Sequence, residues 1–155
     1  MTLRRGVFVL LIALVVSSCG ADPEVSATTS ESTAPPTTTL LIAALEGTTW
    51  ELITYGVEAK PTKANAERPT TVTFDDGEVN GMGPCNRYSG TYVTRENEMM
   101  IELQAITRAG CGDRDLDLVE QEYFEALGNA ERYDVIGQRM KIEYGKGLSL
   151  VFEAR

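Results

Sequence analysis

Gly81-Met82-Gly83-Pro84-Cys85-Asn86-Arg87-Tyr88-Ser89-Gly90-Thr91-Tyr92 decides how the rest of the chain is read. Three glycines and a proline surround a cysteine and an amide, and the stretch then runs into alternating aromatic positions. Glycine reaches backbone angles that other residues adopt only at a cost, and proline cannot donate a main-chain hydrogen bond. Residues 81–86 are therefore expected to form a bent, irregular crossing, and residues 88–93 an ordinary strand.

Further strands are expected on both sides. Residues 48–55 are rich in β-branched and aromatic side chains, with Trp50 and Leu52 sharing one face. Residues 56–69 are polar and mixed, and read as a loop. Residues 71–74 and 78–81 flank Asp76-Gly77, a hairpin turn signal. Residues 88–93 are set against 99–103 across a polar tip at 94–98. The period then changes. Leu116, Val119, Tyr123 and Leu127 recur at helical spacing with Phe124 beside them. Asp113 and Asp115 suit a helix start and Gly128 its end. Residues 132–136 follow, and then alternating runs at 140–144 and 148–152 around Gly145-Lys146-Gly147. This order predicts an α+β fold: mostly antiparallel β, a bent sheet or half-open barrel, with one main α-helix closing one end.

The first eighteen residues read as an export signal. Arg4 and Arg5 precede an apolar run from Val7 to Val16 that is too short to span a bilayer, for which about 20 residues are needed. Val16-Ser17-Ser18-Cys19 resembles the bacterial lipobox, which makes Cys19 the expected lipid attachment site. Residues 19–39 are dominated by Ser, Thr and Pro and cannot bury enough apolar surface to offset their ordering entropy. They are expected to be a disordered tether spanning roughly 25 Å. The folded domain is expected over residues 40–155, a single core.

Charge bounds the partners. The chain has 14 basic and 23 acidic residues and no histidine, a net charge of −9, and loss of Arg4 and Arg5 with the signal takes it to −11. Such a chain is repelled by nucleic acid and anionic lipid surfaces and attracted to cationic proteins. Acidity that only keeps an exported protein soluble is the plainer alternative.

The absence of histidine removes Ser-His-Asp and Cys-His nucleophilic sites and His-containing zinc sites. Asp113-Arg114-Asp115-Leu116-Asp117 opens like a calcium loop, but Leu118 and Phe124 occupy the positions that need glycine and glutamate. Gly81-Met82-Gly83 fails as a dinucleotide fingerprint, because Asn86 fills the third glycine position and no helix follows. No catalytic residues, cofactor or metal ligands are assigned. Asn86, Arg87, Thr107 and Arg108 are the candidate recognition surface, since they adjoin the special backbone. The competing reading has Asn86 bonded to loop amides, as Asn side chains are in turns, and the two arginines paired with domain carboxylates. Cys85 and Cys111 are left once Cys19 is lipidated, an even number in an exported chain, and a disulfide between them is expected. Two buried free thiols packed as small hydrophobes are the alternative.

Four blocks carry a family likeness: Leu45-Glu46-Gly47-Thr48-Thr49-Trp50-Glu51-Leu52, Asn80-Gly81 with residues 85–92, Ile106-Thr107-Arg108 with Cys111, and the closing hairpin. Together they resemble the META domain, the HslJ-like group of bacterial envelope proteins. Two positions depart from the family pattern: Pro84 and Gly110 stand where glycine and alanine usually precede the two cysteines. The resemblance implies a small, mostly antiparallel half-open barrel with a helix, often behind a lipoprotein signal, and it brings no established catalytic residues. The expected function is that of a lipid-anchored, non-enzymatic cell-envelope protein on the extracytoplasmic face, with a binding or stress-related role. The alternatives are an inhibitor of a cationic hydrolase such as lysozyme, and a hydrolase built on carboxylates alone.

Overall fold

A computed structural model describes residues 43–155. Cys19, the signal and the tether lie outside the described residues. Nine strands and one helix follow in order: β1 Thr49–Val57, β2 Thr62–Lys63, β3 Thr71–Asp75, β4 Glu78–Met82, β5 Arg87–Arg95, β6 Glu98–Ile106, α1 Arg114–Gly128, β7 Arg132–Ile136, β8 Arg139–Glu143 and β9 Leu148–Ala154. All pairings between strands are antiparallel, so the class is α+β as the sequence predicts.

The strands form one sheet that closes on itself. From β3 to β9 each strand pairs with the next in sequence, and β1 joins β3 to β9. β1 serves two partners on one edge: residues 49–51 oppose β3, and Thr54 and Tyr55 oppose β2. A bulge between Leu52 and Thr54 lets its other edge follow β9 along its length. The short β2 lies in the stretch that reads as loop. Its two exposed residues carry no hydrophobic alternation, and only the edge offered by β1 makes them a strand.

Period-2 alternation supplies the core. Trp50, Leu52, Val72, Phe74, Val79, Tyr88, Tyr92, Met99, Ile101, Met140, Ile142, Leu150 and Phe152 all turn inward, where α1 adds Tyr123, Ala126 and Leu127. Trp50 is fully buried and satisfies its indole by donating to the Leu45 carbonyl at 3.0 Å. Phe74 and Tyr92 meet edge to face at 4.9 Å. Gly90 occupies the inward position between Tyr88 and Tyr92 because nothing larger fits: a Cβ there would lie 2.1 Å from the Glu102 carbonyl oxygen.

The structure shortens the irregular crossing. Gly81 and Met82 still belong to β4, opposite Tyr88 and Arg87, so only residues 83–86 leave the sheet. The β5–β6 tip is likewise shorter than 94–98, since the strands run to Arg95 and Glu98. α1 starts where the acids predict: Asp113 is its N-cap and accepts from the amides of Asp115 and Leu116.

Candidate functional site

The polar centre of the domain is built on the turn Gly83-Pro84-Cys85-Asn86. Gly83 donates its N–H to the Asn86 carbonyl at 2.7 Å and closes the turn. The amides of Cys85 and Asn86 are thereby aimed at one point, and both donate to Oε1 of Glu120 on α1, at 2.8 and 2.7 Å. Two successive amides converging on a carboxylate oxygen are the arrangement that backbone nests use to hold an anion. Here the anion belongs to the chain. Gly83 must be glycine for the same reason: a Cβ would come within 2.9 Å of Glu120 Oε1 and of the Phe124 ring.

Asn86 completes the clamp. Its Nδ2 donates to Glu120 Oε2 and to the Ala109 carbonyl, the latter at 2.9 Å. Its Oδ1 accepts from the Thr107 hydroxyl at 2.9 Å and the Ala109 amide at 2.7 Å. Thr107 also accepts from the Arg87 amide at 3.0 Å. Three segments far apart in sequence, at 83–87, 107–111 and 120, are thus held by one amide and one carboxylate. Cys85 is bonded to Cys111 across the same junction, with Cα atoms 5.3 Å apart, and the Cys111 amide donates to Asp117 at 3.2 Å.

The candidate recognition residues divide. Asn86 is buried, and the donors and acceptors of its side chain are occupied within the domain. It is a strut, in line with the loop-amide reading. Thr107 is exposed but holds Asn86 in place. Arg87 and Arg108 are exposed and have no ion-pair partner among the described residues. Glu120, the residue that organises the centre, is missed by the reading of the sequence. Its signal is its position: it lies four residues beyond Leu116 and three before Tyr123, so a carboxylate sits on the apolar stripe of α1.

The chemistry open to this centre is narrow. The Cys85 and Cys111 sulfurs and a Glu120 oxygen lie within 4.8 Å of one another. With the sulfurs joined in a disulfide, neither is a thiolate, and Glu120 already accepts from three donors of the fold. Below it, the Tyr88 hydroxyl donates to the Thr71 carbonyl at 2.9 Å and shares a hydrogen bond with Tyr123 at 2.8 Å. Burial pushes both phenols well above their ordinary value, so they remain neutral donors. No buried side-chain polar atom among the described residues lacks a partner.

Beside the centre a groove of about 720 Å³ runs between β6 and α1, bordered by Asn86, Thr107, Arg108 and Glu120 at one end. That volume falls within the roughly 300–1,000 Å³ of ligand clefts.

The META domain family profile matches residues 43–155. Among solved structures, one from Burkholderia xenovorans, determined by NMR, is similar with a TM-score of 0.62 at 22% identity over 72% of this chain and 83% of that one. A second NMR structure is similar at 0.55 and 19% identity, covering 72% of this chain and 95% of that one. The crystal structure of a DUF4847 family protein from Bacteroides vulgatus is similar at 0.52 and 16% identity, over 68% of this chain and 90% of that one. At these identities the likeness is one of fold. No match is found among curated proteins.

Proposed function

The chain belongs to the META domain family, and from that premise we propose that it is a lipid-anchored, non-enzymatic binding protein of the bacterial cell envelope whose partner is a cationic protein. The disulfide carries the reading. A bridge such as Cys85–Cys111 is the rule in oxidising compartments and rare in the cytosol, which supports reading residues 1–18 as an export signal and Cys19 as the lipidated residue. The carboxylate and amide of the polar centre are taken up by the fold, so recognition is assigned to the acidic surface outside that centre. Charge gives the partner its sign. Residues 43–155 hold 12 basic and 20 acidic side chains, so the folded domain alone is strongly acidic. Inhibition of a basic hydrolase such as lysozyme is one form this binding takes.

Two measurements test the proposal. Cys19→Ala should abolish acyl labelling and move the chain out of the detergent phase, and unchanged labelling refutes the anchor. A basic lysozyme titrated against the whole processed chain should bind tightly at low salt and keep a saturable component near 0.15 M, roughly physiological strength. Binding that salt abolishes entirely reduces the acidity to a solubility device.

A further inference from the structure

β6 has two edges, and one of them is left largely without a partner strand. Hydrogen-bonding groups of successive residues in a strand point to opposite edges. Arg95 and Glu98 close the hairpin, so Glu98, Met100 and Glu102 face β5. Met99 faces the other way and donates its amide to the Glu131 carbonyl at 3.0 Å. There the pairing with β7 ends, because Glu98 opposite Arg132 is the single residue pair in register between them. Farther along, α1 lies beside β6 in place of a strand. The main chain of Ile101 and Leu103, in step with Met99, is turned toward the groove with no strand opposite among the described residues.

The groove is shaped and charged for an extended visitor. Ile101, Leu103, Ile106 and Phe124 supply its apolar lining, and Glu102 and Glu125 stand exposed on its two walls. Neither carboxylate is ion-paired among the described residues. Arg108 is the one cation in the lining, at the end nearest the clamp. Native sheets usually blunt such an edge with lysine, proline or a bulge. β6 contains neither lysine nor proline; its edge is interrupted by the bulge at Gln104, between Leu103 opposite Gly90 and Ala105 opposite Ser89, and flanked by α1.

We infer that this groove takes an extended basic segment of another protein as an added strand beside β6. The main chain of Ile101 and Leu103 supplies the ladder, and lysines or arginines at alternate positions of the segment meet Glu102 and Glu125. An anionic membrane or nucleic acid is excluded by the same carboxylates. A second copy of the domain is disfavoured because both copies carry the same acidic excess. The inference rests on the reading of this protein as a binder of cationic proteins and names where that binding occurs.

The test uses the whole processed chain in mild detergent and a synthetic peptide that alternates lysine with valine. Its control is the same peptide fully N-methylated, which keeps charge and composition but removes the main-chain donors. The expected result is saturable binding with slowed hydrogen exchange at the Ile101 and Leu103 amides. Binding should weaken about tenfold or more for the methylated peptide and for the double variant E102K/E125K, whose melting temperature should stay unchanged. Equal binding of the two peptides, protection at other amides, self-association through this edge, or no binding overturns the inference. A basic lysozyme that binds without slowing these two amides leaves the proposed function standing and removes the edge as its site. Loss of the acyl label bears on the anchor alone.

Discussion

A carboxylate on the buried stripe of a helix must be matched by donors, and Glu120 is matched by three: the amides of Cys85 and Asn86 and the Asn86 side chain. Removing it strands all three in a place water reaches poorly. Glu120→Ala should therefore cost about 3 kcal/mol, read as a lower urea midpoint with unchanged slope. Glu120→Gln keeps one acceptor oxygen for the two amides and should lose less than half as much. A cost below about 1 kcal/mol for alanine means the clamp contributes little. The residues on which this centre rests were only partly legible. Cys85 and Asn86 stand out because of their glycines and proline. Glu120 does not, because a single charged residue within a helical repeat has many innocuous explanations until its partners, more than thirty residues away, are seen.

At the scale of elements, the disulfide ties the β4–β5 turn to the segment that leads into α1. It closes a loop with a sequence separation of 26. Chain-entropy arguments give such a bridge roughly 3–4 kcal/mol, a large share of the ~5–15 kcal/mol that holds a small domain. No thiol should label after denaturation without reductant, and adding reductant should lower the melting temperature clearly. Two labelled cysteines in the unreduced domain refute the bridge in solution. The individual strands were readable where local chemistry speaks: Asp76-Gly77 marks β3–β4, with both residues at positive φ, and Asp113 marks the start of α1. β2 was not, because two exposed residues have no pattern of their own. Nor was the short register of β6 with β7, a single residue pair that no turn signal marks.

For the whole molecule, the pairing of β1 with β9 closes the ring across nearly the full length of the domain. No local pattern encodes that pairing. It follows once every strand has one apolar face and the sheet twists until its first and last strands meet. Surface and interior groups set how stability varies with pH at opposite ends of the scale. On the acid side, hydrogen bonding to Lys141 holds Glu143 below the usual carboxylate range, which adds stability at neutral pH that is lost as pH falls through the lowered value. Both side chains are exposed, so solvent screens the pair and this limb is shallow. On the alkaline side the groups are buried. Desolvation raises Tyr88 and Tyr123 well above their ordinary value, and burial with a hydrogen bond to Glu46 pushes Tyr92 up to about 12. In the unfolded chain these phenols ionise near 10. Below that pH their contribution is fully present. Above it the unfolded chain binds fewer protons than the folded one, so stability falls as pH rises toward the folded values, by up to about 1.4 kcal/mol per pH unit for each tyrosine. Urea midpoints should hold level from pH 7 to about 9 and drop steeply beyond about 10. Tyr88→Phe with Tyr123→Phe should lower stability at neutral pH, since the hydrogen bonds of the two phenols to the Thr71 carbonyl and to each other are lost, yet flatten the alkaline drop. An equally steep drop in the double variant would place the alkaline sensitivity outside this pair.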